Sequence, residues 1–75
     1  MQHYRDSDHD SGISGFEDGP DFIRVAFKDG AVYRYTDTSA GSANIREMKR
    51  LAALGDGLNA FINTQVKRRY AQKER

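Results

Sequence analysis

Apolar and polar residues alternate most clearly between positions 22 and 28. Ile23, Val25 and Phe27 are separated by Arg24 and Ala26. A period of two residues indicates a half-buried β-strand. A second run over 31–36 is rich in β-branched and aromatic residues and predicts another strand. With a short strand over 12–16 before them, we expect a three-stranded antiparallel meander.

The segment Lys28-Asp29-Gly30 joins the two clearest strands as a hairpin, and two registers compete for it. A two-residue loop, Asp29-Gly30, would pair Lys28 with Ala31. A three-residue loop, with Gly30 in the left-handed bulge position, pairs Phe27 with Ala31 instead. The two registers differ in which side chains share a face of the sheet.

The three-residue loop gathers the large apolar side chains of the hairpin on one face. In this register Val25 lies opposite Tyr33. Two positions along the strand, Ile23 lies opposite Tyr35. Because a slip of one residue turns one strand over, the hydrophobic pattern favours this register. The other face then carries the two arginines of the hairpin, Arg24 and Arg34.

Residues 42–70 show helical spacing of apolar residues instead. A first helix is expected between Ser42 and Gly55, with Gly55 in the left-handed position after its end. A second helix carries a stripe made of Leu58, Phe61, Ile62, Val66 and Tyr70. The order of elements predicts an α+β, two-layer β-β-β-α-α domain, in which two amphipathic helices cover one face of the meander and leave the other open.

The predicted domain occupies residues 11–72. Residues 1–10 are polar, charged and without period, so we expect a disordered acidic tail, and we expect a frayed C-terminus at 73–75. The predicted core and hairpin positions are Ile23, Val25, Phe27, Gly30, Tyr33, Tyr35, Phe61, Ile62, Val66 and Tyr70.

Composition narrows the class of protein. A chain of 75 residues makes one domain at most, and it contains no cysteine that could form a disulfide or a thiolate metal site. No apolar run approaches the roughly 18 residues that a membrane span needs, and the acidic N-terminus does not resemble a signal peptide. We therefore expect a cytoplasmic protein that does not enter a membrane.

The net charge of +1 is unevenly distributed. Residues 1–38 contain four basic and eight acidic side chains, a charge of −4, whereas residues 39–75 contain eight basic and three acidic ones, a charge of +5. A basic half favours anionic partners, although such runs often serve only to solvate a helix. The candidate nucleic-acid-binding residues are Arg24, Arg34, Arg46, Lys49, Arg50, Asn63, Lys67 and Arg68.

No set of residues predicts catalysis. A nucleophile needs an adjacent base, and both histidines, His3 and His9, lie in the expected disordered tail. The aspartates near these histidines do not predict a metal site, because a disordered segment does not hold its side chains in the geometry that metal ligands need. There is no Gly-Lys-Ser/Thr run for a nucleotide phosphate. We expect no enzyme activity, cofactor, metal or small-molecule substrate.

Two spaced motifs resemble the KTSC domain family: Phe27-x-x-Gly30-x-x-Tyr33-x-Tyr35, then Asn63-x-x-Val66-x-x-x-Tyr70. The resemblance covers about residues 11–71. That family is named for its place at the C-terminus of some lysyl-tRNA synthetases and also occurs as a small stand-alone bacterial protein. It implies a bacterial α+β domain and, by the attachment to a synthetase, RNA binding. The connector over 36–42 departs from the Val-Pro-type helix entry of many members.

Two classes of function therefore remain open. The first is RNA binding, to tRNA or a single strand, through the basic helices or the open sheet face. In that case Tyr33 and Tyr35 would be stacking residues if exposed, but the register favours them as core. A helix-turn-helix lacks its third supporting helix here. The second class is a protein-interaction module that uses the open face or an edge strand.

Overall fold

The computed structural model describes residues 1–6 and 12–75. Its strands are β1 (Gln2–His3), β2 (Ile13–Asp18), β3 (Phe22–Phe27), β4 (Val32–Thr36) and β5 (Gln72–Lys73). Its helices are α1 (Asp37–Ala40), α2 (Ser42–Leu54) and α3 (Leu58–Phe61), and α3 continues as a π-helical turn over Ile62–Val66. The predicted α+β class is confirmed. The sheet has five strands in the order β1-β2-β3-β4-β5, all antiparallel, rather than three.

The central hairpin has the predicted three-residue register. The N–H of Phe27 donates to the carbonyl of Ala31 at 2.8 Å, and Val25 pairs with Tyr33. Gly30 has a φ of 96°, which a residue with a Cβ adopts only under strain. The alternation of strand side chains therefore puts Tyr33 on the helix-facing side and Arg34 on the outer side.

The N-terminal residues 1–6 belong to the sheet and the core, which corrects the expectation of a disordered tail there. β1 pairs with β2, and the side chain of Tyr4 is 1% exposed. Arg5 donates from Nη2 to the carbonyls of Ala53 and Leu54 at 3.1 and 3.0 Å, at the end of α2. These residues are ordered in spite of their polar composition, because they contact residues that lie far from them in the sequence. Residues 7–10 of the expected tail lie outside the described residues.

The C-terminus is also ordered, which corrects the expected fraying of residues 73–75. β5 pairs with β4, and the N–H of Glu74 donates to the carbonyl of Val32 at 2.7 Å. The carbonyl of Arg75 accepts from the N–H of Val32 at 3.3 Å. The chain thus returns after the helices and pairs with the strand that precedes them.

The helical layer differs from the prediction at both ends. The expected polar connector contains α1, whose start is fixed by reciprocal side-chain bonds between Thr36 and Ser39. Gly55 ends α2 in the left-handed conformation, as expected. The second helix stops at Val66, so it does not carry its stripe as far as Tyr70.

The helices pack on the sheet face that contains Ile23, Val25 and Tyr35, all buried. Ile62 and Val66 join this core, while Phe27, Tyr33 and Phe61 are half-buried at its margin. Tyr70 is 40% exposed and is not a core residue, because the chain has left the helix before it. Among the described residues, no helix has the length and apolar character to cross a membrane.

Candidate nucleic-acid interface

Arg24 and Arg34 lie side by side on the outer face of the sheet, as a directly opposed pair of β3 and β4. Arg24 donates from Nε and Nη2 to Glu74 Oε1 at 2.9 and 2.6 Å, and its Nη1 pairs with Glu17. The hydrogen bonds from Arg24 to these carboxylates, Glu74 first, raise the pKa of the guanidinium. Two acidic neighbours thus compensate the charge of Arg24, which leaves it poorly placed to bind a phosphate.

Arg34 is held by an aromatic ring. Its guanidinium carbon lies 4.7 Å from the centroid of Phe22, within the range of a cation–π contact. Its Nε is buried and makes no hydrogen bond with any described residue. Both outer-face arginines are therefore engaged in the sheet, and the open face offers less free positive charge than the sequence predicted.

The three predicted cations of α2 also differ in their surroundings. Lys49 donates from Nζ to the carbonyl of Gly19 and so anchors the helix to the β2–β3 turn. Arg50 pairs with Glu47 at 2.9 and 2.6 Å, and this hydrogen bond raises the pKa of Arg50 and lowers that of Glu47. Arg46 is exposed and forms no ion pair with the residues that the structure describes. Of the α2 set, Arg46 is therefore the free cation.

Three consecutive cations, Lys67, Arg68 and Arg69, follow the π-helical turn; we call this segment the cationic turn. All three side chains are exposed, and none forms an ion pair within the described part of the chain. The N–H of Arg69 donates to the carbonyl of Val66 at 2.9 Å, which ends the helix in a tight turn. Asn63 is exposed one turn earlier.

An aromatic group lies directly after the cationic turn. The ring centroid of Tyr70 is 4.9 Å from that of Tyr33 and 6.4 Å from that of Tyr35, both in edge-to-face contact; we call these three residues the tyrosine cluster. Lys73 Nζ lies 5.7 Å from the centroid of Tyr33. Burial raises the pKa of Tyr35 to about 12, and Tyr33 and Tyr70 add to this effect. Within the cluster, Tyr35 is buried, Tyr33 is half-buried and Tyr70 is exposed.

Comparison with known proteins adds nothing to this geometry. No protein-family model matches the chain, and no similar protein is found among curated sequences or solved structures. The comparisons therefore assign no function to the chain.

The predicted site residues do not form one continuous surface. Arg24 and Arg34 lie on the outer sheet face, whereas Tyr33 and Tyr35 alternate with Arg34 and lie on the helix side. Lys67 and Arg68 precede Tyr70 of the tyrosine cluster by three and two residues in the sequence. Two residues of this second surface, Arg69 and Lys73, were missed as binding candidates, although the run Lys67-Arg68-Arg69 is visible in the sequence.

Proposed function

We propose that this chain is a non-catalytic domain that binds RNA through the cationic turn. The observation that carries the proposal is that Lys67, Arg68 and Arg69 are consecutive, exposed and free of carboxylate partners within the described residues. Cations of this kind release the counterions of a phosphate backbone when they bind it. Cations that already face a carboxylate, as Arg24 and Arg50 do, gain less from a phosphate.

The resemblance to the KTSC domain supports the same proposal, since that family is attached to some lysyl-tRNA synthetases. Membership of that family, and with it a bacterial origin, is itself part of the proposal. A cytoplasmic location is also part of the proposal, and the absence of cysteine favours it. RNA of that compartment, including tRNA, is the expected partner.

A protein-interaction module is the alternative, and the edges of the sheet give it little support. Both edge strands, β1 and β5, are two residues long. A strand added to such an edge would find few backbone groups to pair with. The outer sheet face is the better protein surface, because Met1 is 60% exposed and its side chain lies over Gly15 of β2.

The test is fluorescence anisotropy with a labelled tRNA and a labelled short RNA, each at a low and a fourfold higher salt concentration. We expect weak affinity that falls steeply with salt. Replacement of the three cationic-turn residues by Gln removes three phosphate contacts, so the slope of log K against log salt should become shallower by about 2 to 3.

A matched pair of single variants separates the site from the net charge. Arg68→Gln and Arg50→Gln each remove one positive charge from an exposed position, but only Arg50 is paired with a carboxylate. We expect Arg68→Gln to weaken binding and Arg50→Gln to leave it nearly unchanged. Equal weakening by both variants, or no binding of the wild type at low salt, would reject the proposal.

A further inference from the structure

We propose that the tyrosine cluster is a stacking platform, and that the RNA bound beside it is single-stranded, with one base lying on the ring of Tyr70. This inference rests on the proposed RNA binding and specifies the strand type. Proteins that bind single strands combine cations along the backbone with aromatic faces for the bases. The cationic turn and Tyr70 bring these two elements together in one short segment.

Tyr70 is exposed and is also in contact with two other aromatic rings. With 40% of its surface exposed, it is one of three large hydrophobic residues that stand out among the described residues, together with Met1 and Leu54. Its ring is nevertheless held in place, because edge contacts to Tyr33 and Tyr35 fix it from the protein side. A ring that is fixed yet open to solvent binds a base without a further loss of side-chain entropy.

Positive charge flanks this ring along the chain. Arg69 precedes Tyr70 directly, and successive Cα atoms are only about 3.8 Å apart. Three residues after Tyr70, Lys73 Nζ lies 5.7 Å from the centroid of Tyr33, the inner neighbour of Tyr70. The segment that carries Tyr70 therefore has cations before and after this residue that can meet the phosphates of a strand stacked on it.

The aromatic ring of the outer sheet face does not offer the same platform. Phe22, on the outer sheet face, is half-buried, and the guanidinium of Arg34 covers its ring. The neighbouring Arg24 is compensated by Glu17 and Glu74. Among the described residues, an exposed ring and uncompensated cations occur together at Tyr70.

Strand type follows from the accessibility of the bases. In an A-form duplex the bases are stacked on each other, and side chains cannot read the deep, narrow major groove. Stacking on Tyr70 needs an unpaired base that can turn towards the protein. Loops and single-stranded ends satisfy this condition, whereas a regular duplex does not.

Three probes and two variants test the inference. The probes are a single-stranded RNA 12-mer, the duplex of the same sequence, and inorganic polyphosphate as a polyanion without bases. Tyr70→Leu keeps an apolar side chain but removes the ring, and Tyr70→Phe keeps the ring. At 1–3 kcal/mol per stacked base, Tyr70→Leu should weaken single-strand binding about 5- to 150-fold, and Tyr70→Phe should leave it near that of the wild type.

The polyphosphate arm distinguishes this inference from the proposal on which it rests. If Tyr70→Leu loses affinity for the single strand but binds polyphosphate as the wild type does, stacking is supported. If the variant binds the single strand with wild-type affinity, or the wild type binds the duplex equally well, stacking is rejected and electrostatic RNA binding stands. If the wild type binds none of the probes, both are rejected.

A measurement on the unmodified protein covers the case in which Tyr70→Leu does not fold. Ring protons of a tyrosine that stacks on a base shift upfield in the NMR spectrum. On titration of the wild type with the 12-mer, we expect that shift at Tyr70 and not at the buried ring of Tyr4. Unchanged Tyr70 ring signals in the saturated complex would overturn the inference.

Discussion

The hydroxyl oxygen of Tyr4 accepts a hydrogen bond from the backbone N–H of Leu58 at 3.2 Å. Leu58 is the first residue of α3, and the residue before it, Gly57, offers no side chain to cap the helix. The first N–H groups of a helix have no partner within it, and a buried one needs a substitute. Tyr4 supplies that substitute from the other end of the chain, so the N-terminus contributes to helix stability as well as to the sheet.

Tyr4→Phe should lower the free energy of unfolding by about 1–3 kcal/mol, because it leaves the buried N–H of Leu58 unsatisfied while it keeps the ring. Tyr4→Ala should cost more, about 3–5 kcal/mol, since it also empties a buried site. Urea denaturation followed by circular dichroism measures both. A Tyr4→Phe variant as stable as the wild type would show that the hydrogen bond contributes nothing net.

The same contact shows why the sequence predicted the hairpin and missed the N-terminus. The register of β3 and β4 follows from local information: a period of two and a glycine at the turn. The partner of Tyr4 lies 54 residues away, and nothing near Tyr4 in the sequence indicates it. A polar composition predicts disorder only where no distant partner supplies the missing contacts.

The candidate site was predictable to a similar degree. The run of cations at the cationic turn is a local feature of the sequence. Two of its residues, Lys67 and Arg68, are therefore among the binding residues that the sequence predicts. The engagement of Arg24 was not predictable, because Glu74 lies 50 positions later and comes alongside only when β5 pairs with β4. Sequence pattern thus locates charge, but only the fold shows which charges are already compensated.

Gly30 and Gly12 form a matched pair for testing the hairpin. At both positions an added Cβ would meet no heavy atom of the described residues within 4 Å, and of the two only Gly30 has a positive φ. Gly30→Ala should therefore lower the free energy of unfolding by about 1–2 kcal/mol through backbone strain alone. Gly12→Ala should be neutral or slightly stabilising because it reduces the freedom of the unfolded chain. Equal effects in thermal or urea denaturation would contradict the assigned turn.

Glu74 and Glu47 form a second matched pair, which tests the role of the ordered C-terminus. The Glu74–Arg24 pair is partly buried, with side chains 20% and 31% exposed, whereas the Glu47–Arg50 pair lies on the surface. Glu74→Gln should lower the free energy of unfolding by about 1 kcal/mol. Glu47→Gln should have little measurable effect because solvent screens an exposed pair. The reverse order in urea denaturation would mean that the C-terminus adds no stability through Arg24.

Stability at high pH should depend on Tyr35. Its pKa is raised from an ordinary value of 10.0 to about 12, because burial disfavours the charged phenolate in the folded state. A group with a raised folded pKa stabilises the fold fully below its unfolded pKa and loses that contribution as the pH rises through the folded value. The free energy of unfolding should therefore fall between about pH 10 and 12, as the unfolded chain releases the proton first.

Tyr35→Phe isolates this contribution, because it keeps the buried ring and removes the proton. All other side chains are the same in the two proteins, so the useful quantity is the difference between the two curves of unfolding free energy against pH. We expect a constant difference below pH 10 and a narrowing or reversal in favour of Tyr35→Phe towards pH 12. Parallel curves across this range would show that the Tyr35 phenol ionises as easily in the fold as in the unfolded chain, and that its ring is more hydrated than its 2% exposure indicates.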